Sequence, residues 1–152
     1  MSISNTMKRS VAIAALVSAI ACTSAWAGCH TIETHGYWES VTCDSGATGA
    51  RTLVGDDRAL AILIHRGSVN LRLHGPWNFD EGDLARVSAT VDGTVYRANA
   101  RAVNDEEVEV RGLSRDFVTA LITARTAVFQ IGNGRWNLNL YGLRDSLRDV
   151  LD

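Results

Sequence analysis

The chain of 152 residues has one lysine, Lys8, one proline, Pro76, and three cysteines. Each scarcity removes a class of architecture. A single proline leaves no proline-rich linker, and no internal repeat or low-complexity tract divides the chain. The cysteines include no Cys-x-x-Cys pair and no histidine stands at a zinc-finger interval from them, so a metal or redox pair is the lesser alternative to a disulfide. There is no Gly-x-Ser-x-Gly elbow, and no glycine-rich loop leads from a strand into a helix. The hydrolase nucleophile and the phosphate cradle are therefore without their motifs. The apolar run from Val11 to Ala21 is too short to cross a bilayer as a helix.

What is present begins with that run. Lys8 and Arg9 precede it and Ala25-Trp-Ala27 follows, so residues 1–27 are predicted to be a secretory signal peptide cleaved after Ala27. A single β-sandwich domain is expected over residues 28–152. Ala19-Ile-Ala-Cys22 offers a rival reading as a lipoprotein box, and membrane contact is expected only if Cys22 is lipidated. Cleavage leaves 125 residues, enough for one core burying about two-thirds of the unfolded surface. The remaining charge is 13 arginines against 17 acidic side chains, a balance of −4, which argues against a nucleic-acid partner. Cys29 and Cys43 become the remaining thiols, and an oxidising compartment predicts a disulfide between them. It would close a 15-residue loop and contribute about 3 kcal/mol through the unfolded state. The expected location is periplasmic or secreted.

The pattern along the chain is that of short strands. Residues 112–143 read as a short helix, a strand, a tight Asn133-Gly134 turn and a second strand, a type I′ hairpin by its dipeptide. Gly28 to Gly36 reads as an irregular polar segment, Tyr37 to Cys43 as a first strand, and Asp44 to Gly49 as turn-rich. Leu60 to Ile64 is a buried strand and Val69 to Leu73 a half-buried one, ended by Gly75-Pro76. Ala85 to Val91 and Thr94 to Val103 form a second hairpin about Asp92-Gly93, and Val108 to Arg111 continues the meander. Ser114 is placed as the N-cap of a helix whose apolar face is Phe117, Ala120, Leu121 and Ala124. Leu143 to Leu151 reads as a terminal helix. The expected fold class is mainly β: an antiparallel β-sandwich or barrel with two short helices near the C-terminus.

Candidate chemistry is sparse. His30 and His35 are the pair with loop spacing for a shared metal, against the plainer reading of exposed histidines, and neither a metal nor a cofactor is expected. The carboxylates from Asn104 to Glu109 read as a solvated charge run. Asn78 to Asp83 falls short of a calcium loop because Gly82 stands where an oxygen ligand belongs and the closing glutamate is missing. Trp38, Trp77 and Trp136 either line a groove or fill a small β core, the second being the commoner use. Arg97 and Arg101 alternate along one predicted strand and, with Arg72 and Arg111 on other strands, form the candidate binding face, one that receives an acidic partner unless it is simply a solvated sheet surface. No catalytic residue is assigned.

The order of Trp38 and Cys43, the apolar strand Leu60 to Ile64, Val91-Asp-Gly93, Gly112 to Leu121, and Trp136-Asn-Leu-Asn-Leu-Tyr-Gly142 before a closing helix resembles the invasion-associated locus B family of bacterial envelope proteins. It is more distantly similar to periplasmic accessory proteins of type VI secretion. The resemblance implies a periplasmic β-sandwich without known catalytic residues. The expected function is non-enzymatic binding of an envelope or secreted protein. An inhibitor of a cell-wall hydrolase such as lysozyme is the alternative, since a small acidic disulfide-bearing β domain suits a basic enzyme.

Overall fold

The computed structural model describes Trp26 and residues 28–151. The expected export signal, with Cys22, lies outside the described residues except for Trp26. Ten strands form one sheet: β1 (Cys29–His35), β2 (Trp38–Cys43), β3 (Thr48–Leu53), β4 (Ala59–His65), β5 (Ser68–His74), β6 (Leu84–Val91), β7 (Thr94–Ala102), β8 (Glu107–Val110), β9 (Thr126–Ile131) and β10 (Gly134–Asn139). Every pairing is antiparallel, in the order β1-β2-β3-β4-β5-β8-β7-β6-β9-β10. Two short helices follow β8: α1 (Arg115–Thr123), between β8 and β9, and α2 (Leu143–Leu151), after β10. The mainly β, antiparallel fold with two short helices matches what the sequence implies.

Side chains alternate across each strand, so every second residue enters the core. Leu71 and Leu73 of β5, Val87 and Ala89 of β6, Val108 and Val110 of β8, and Phe129 and Trp136 of the last hairpin belong to one continuous cluster. Each valine, leucine or phenylalanine among them contributes about 1.5–3 kcal/mol by leaving water. The sheet curls around this cluster until its ends meet. Tyr37 N donates to Tyr141 O at 3.1 Å, and Trp38 Nε1 donates to Asn139 O at 2.9 Å. At this seam a Cβ on Gly142, whose φ is +99°, would overlap the His35 carbonyl oxygen. Helix α2 packs over β1, β2 and β3, burying Leu143 and Leu147.

Three local expectations change. The last hairpin turns at Gly132-Asn133 rather than Asn133-Gly134, because Ile131 pairs with Gly134 and only Gly132 has positive φ, at 56°. That is a type II′ turn, which needs the left-handed conformation at its first central residue alone and places it on glycine. Residues 29–35, read as irregular, form β1: six of them pair with β2, and the Cys29–Cys43 disulfide joins two Cα partners of the pair. Residues 48–53, partly read as turn, form β3 between β2 and β4.

Candidate functional site

Two features of the outer wall stand out, and both lie at β8. Strands β5 and β8 place Arg72 opposite Glu109 and His74 opposite Glu107, with Leu71, Leu73, Val108 and Val110 facing the core. The charged residues thus share the outer face. Arg72 Nη1 lies 3.1 Å from Glu107 Oε2, Arg72 Nε lies 2.9 Å from Glu109 Oε2, and Arg111 Nε lies 2.8 Å from Glu109 Oε1. Arg101, on β7, is the Cα partner of Glu109 and donates from Nη1 to Gly82 O at 3.2 Å. Three of the four arginines singled out in the sequence, Arg72, Arg101 and Arg111, therefore surround Glu109, and Arg97 stands four residues away along β7.

Glu107 and Glu109 are not a solvated run. They are 1 % and 9 % exposed. Burial works against the Arg72 charge, but Glu107 and Glu109 more than offset it and raise its pKa. Burial likewise pushes the Glu109 carboxyl up, and the hydrogen bonds from Arg111 and Arg72 outweigh it, holding the group below its ordinary value. The alternation Glu107-Val-Glu-Val110 shows that both carboxylates lie opposite the core. What covers them is tertiary and had no sequence signal. Trp26 donates from Nε1 to Glu107 Oε2 at 2.9 Å, stands edge-on to His74 at 6.2 Å, and packs with Val41, Ala59, Ala61 and Leu63 beside the disulfide. Trp26 is 4 % exposed. Next to it lies an open groove of about 570 Å³, bordered by Asp44, His65, Asn70 and Arg72.

The second feature is a gap in the sheet. Strand β7 has nine residues, but β8 pairs only with Arg101 and Ala102. Beyond Val110 the chain leaves β7 and follows β5: Gly112 N donates to Asn70 Oδ1 at 3.0 Å, and Leu113 N donates to Val69 O at 2.7 Å. The result is a wedge between β7 and the start of α1. Its inner hollow, about 460 Å³, is floored by Leu71, Tyr96, Phe117 and Phe129, with Arg97 and Arg111 on its border. Tyr96 and Phe117 lie 5.0 Å apart between ring centroids, and Phe117 and Phe129 lie 6.3 Å apart. Ser114 Oγ caps α1 by accepting from Phe117 N at 3.2 Å, which fixes Phe117 over this floor. A groove of about 920 Å³ on the outer side is lined by Asn99, Arg101, Glu109 and Arg111.

The remaining candidates resolve into structural roles. Trp38 and Trp136 are in the core, 0 % and 2 % exposed, and Trp77 stacks on Trp136 at 5.6 Å. His30 and His35 sit at opposite ends of β1 with different partners, Asp44 at 3.4 Å and Asp149 at 2.6 Å. The hydrogen bond with Asp149 raises the His35 pKa, and the same bond, together with the Ser40 hydroxyl, holds Asp149 below the usual carboxylate range. Ser40 Oγ lies 2.9 Å from Asp149 Oδ2 and 2.8 Å from Ser146 O. The carboxylate thus stands between serine and histidine, which is the wrong order for activating a nucleophile, and Ser40 is fully buried. Glu33, His35 and Asp149 bring one ligand atom each within 4.8 Å, the grouping among the described residues that has metal-ligand chemistry. Its shortest internal contact is already the His35–Asp149 bond. No protein-family model, no curated protein and no solved structure matches this chain.

Proposed function

We propose that the chain is a non-enzymatic binding or accessory module of the periplasm or secreted space, acting by protein–protein contact at the bacterial envelope. The observation that carries this reading is the opening between β7 and β8, where β8 pairs with Arg101 and Ala102 alone, with an aromatic floor and Arg97, Arg101 and Arg111 at its borders. Clefts of this kind combine apolar area for affinity with charge for choice of partner. The Cys29–Cys43 disulfide is consistent with a non-cytoplasmic location, and the resemblance to the invasion-associated locus B family points the same way. Immobilised protein incubated with periplasmic extract is expected to retain a protein that an Arg97→Glu, Arg111→Glu variant does not. Retention of nothing, together with turnover of a substrate by the isolated chain, overturns the proposal.

A second reading, inhibition of a basic cell-wall hydrolase, rests on a different surface. Phe79 N donates to Asp105 O at 3.2 Å and Gly75 N to Glu106 O at 2.9 Å, joining the loop after β5 to the loop before β8. The exposed carboxylates of Asp80, Glu81, Asp83, Asp105 and Glu106 then cluster at one end of the sheet. Such a patch favours a cationic enzyme. Added to a lysozyme lysis assay, the protein is expected under this reading to slow clearing, and more so at low salt. Unchanged clearing at a hundredfold molar excess removes it.

A further inference from the structure

We propose that the free edge of β7 is a strand-addition site, and that it takes an extended segment of a partner protein whose acidic residues alternate with apolar ones. The proposal rests on the binding reading above and specifies its mode.

The backbone directions come first. Val91 and Thr94 flank the two-residue turn Asp92-Gly93, with φ of 49° and 82°, and in such a turn the flanking residues exchange hydrogen bonds. Alternation then points the N–H and C=O groups of Thr94, Tyr96, Ala98, Ala100 and Ala102 toward β6. The 2.8 Å bond from Ala102 N to Asp83 O fits this phase. Val95, Arg97 and Asn99 accordingly direct their backbone groups the other way, where β8 pairs with no residue before Arg101. Three residues in ladder phase, with no β8 partner, form a template about 20 Å long when Thr94 and Ala100 are included.

The chemistry of the occupant is written in β8 itself. Where the ladder exists, β8 presents Glu-Val-Glu-Val: valines enter the core, and Glu109 stands opposite Arg101. An incoming strand that continues β8 past Val110 meets the same pattern. Its apolar side chains enter the hollow over Phe117 and Phe129, and its outward side chains lie beside Arg97. Arg86 shares that outer surface, being the Cα partner of Asn99, while Arg97 is the Cα partner of Ser88. Neither Arg86 nor Arg97 has a carboxylate partner among the described residues. Cross-strand pairs of opposite charge stabilise a sheet and like charges directly opposite destabilise it. A second copy of this chain pairing through its own β7 would bring arginines together, which disfavours self-association and favours an acidic partner.

The test uses the acetylated, amidated peptide (Glu-Val)4, its (Lys-Val)4 counterpart, and a (Glu-Val)4 peptide N-methylated at alternate residues, each added to the isotope-labelled full chain. Expected are binding of (Glu-Val)4, slowed hydrogen exchange at the Val95, Arg97 and Asn99 amides, and at least a tenfold loss of affinity for both the N-methylated peptide and an Arg97→Glu variant that retains its circular dichroism. The (Lys-Val)4 peptide is expected not to bind. Equal binding of the N-methylated peptide, or protection elsewhere than β7, shows charge attraction without strand addition and overturns the proposal. So does concentration-dependent dimerisation that protects these same amides, or no binding at all. A partner captured from extract equally by wild type and by Val95→Pro would leave the binding reading standing while this mode of binding falls.

Discussion

Replacing Trp26 with alanine tests whether the outer-wall cluster is an integral part of the fold. The indole is 4 % exposed, and a tryptophan in such a position removes about 200 Å² from water. At about 25 cal/mol per Å² this gives roughly 5 kcal/mol, an upper figure because denatured chains already bury part of that area. The hydrogen bond to Glu107 adds about 1.5 kcal/mol when a charged acceptor is involved. Against these stands the backbone freedom regained at the N-terminal end of the domain, about 1–2 kcal/mol per released residue. The expected net loss is about 3 kcal/mol, within the usual cost of truncating a buried tryptophan. With a urea dependence of about 2 kcal/mol per M, the unfolding midpoint followed by circular dichroism falls by about 1.5 M. A chain beginning at Gly28 is expected to show the same deficit. A midpoint change under about 0.3 M would refute the reasoning. Cleavage at the site that Ala25-Trp-Ala27 predicts would start the chain at Gly28, with this lower stability, and Val41, Ala59, Ala61 and Leu63 would lose their cover.

Arg72→Ala leaves the buried Glu107 carboxylate without a cation and Glu109 with Arg111 alone, and is expected to cost about 3 kcal/mol in urea unfolding, with the double variant Arg72→Met, Glu107→Gln recovering part of the loss. The His35–Asp149 pair makes the anchoring of α2 depend on pH. The raised His35 pKa gives stability that is complete below about 6.5 and lost as pH rises through the folded value, and the lowered Asp149 pKa gives stability present above about 3.9 and lost on acidification. The melting temperature is therefore expected to be higher at pH 5 than at pH 8, with the difference reduced in Asp149→Asn; an unchanged difference would show that the pair is not its source. Gly142→Ala combines positive φ with a Cβ driven into the His35 carbonyl, and a loss of at least 2 kcal/mol in thermal or urea unfolding is expected.

Sequence reading succeeded where one residue type settles the matter locally. Leu60 to Ile64, Val69 to Leu73 and Ala85 to Val91 lie within strands β4, β5 and β6, because apolar alternation and turn residues decide them. Leu143 to Leu151 forms α2 over the same span, and Ser114 caps α1 as expected. It failed where the determinant lies elsewhere in the chain. Strand β1 is mostly exposed and polar, and becomes a strand through β2 and the disulfide. The Asn133-Gly134 dipeptide announced a hairpin but misplaced its turn, because Gly132 supplies the left-handed residue one step earlier. Glu107 and Glu109 looked solvated because nothing near them in sequence foretells Trp26, 81 residues before Glu107. The candidate arginines were visible as a set, but the gap beside β7 was not, since it arises from where β8 stops.

The seam between Gly36 and Tyr141 has a consequence for the order of events in synthesis. Residues near the front of the domain are held by residues near its back, through Tyr37 N to Tyr141 O and Ser40 to Asp149. The clasp cannot engage until the ribosome has delivered Tyr141 and Asp149, so the strands at the front of the domain wait for partners about a hundred residues later in the chain. Until those partners arrive the front of the domain is held by its local strand pairing, and the edge beside β1 stays open for longer than a clasp between sequence neighbours would leave it.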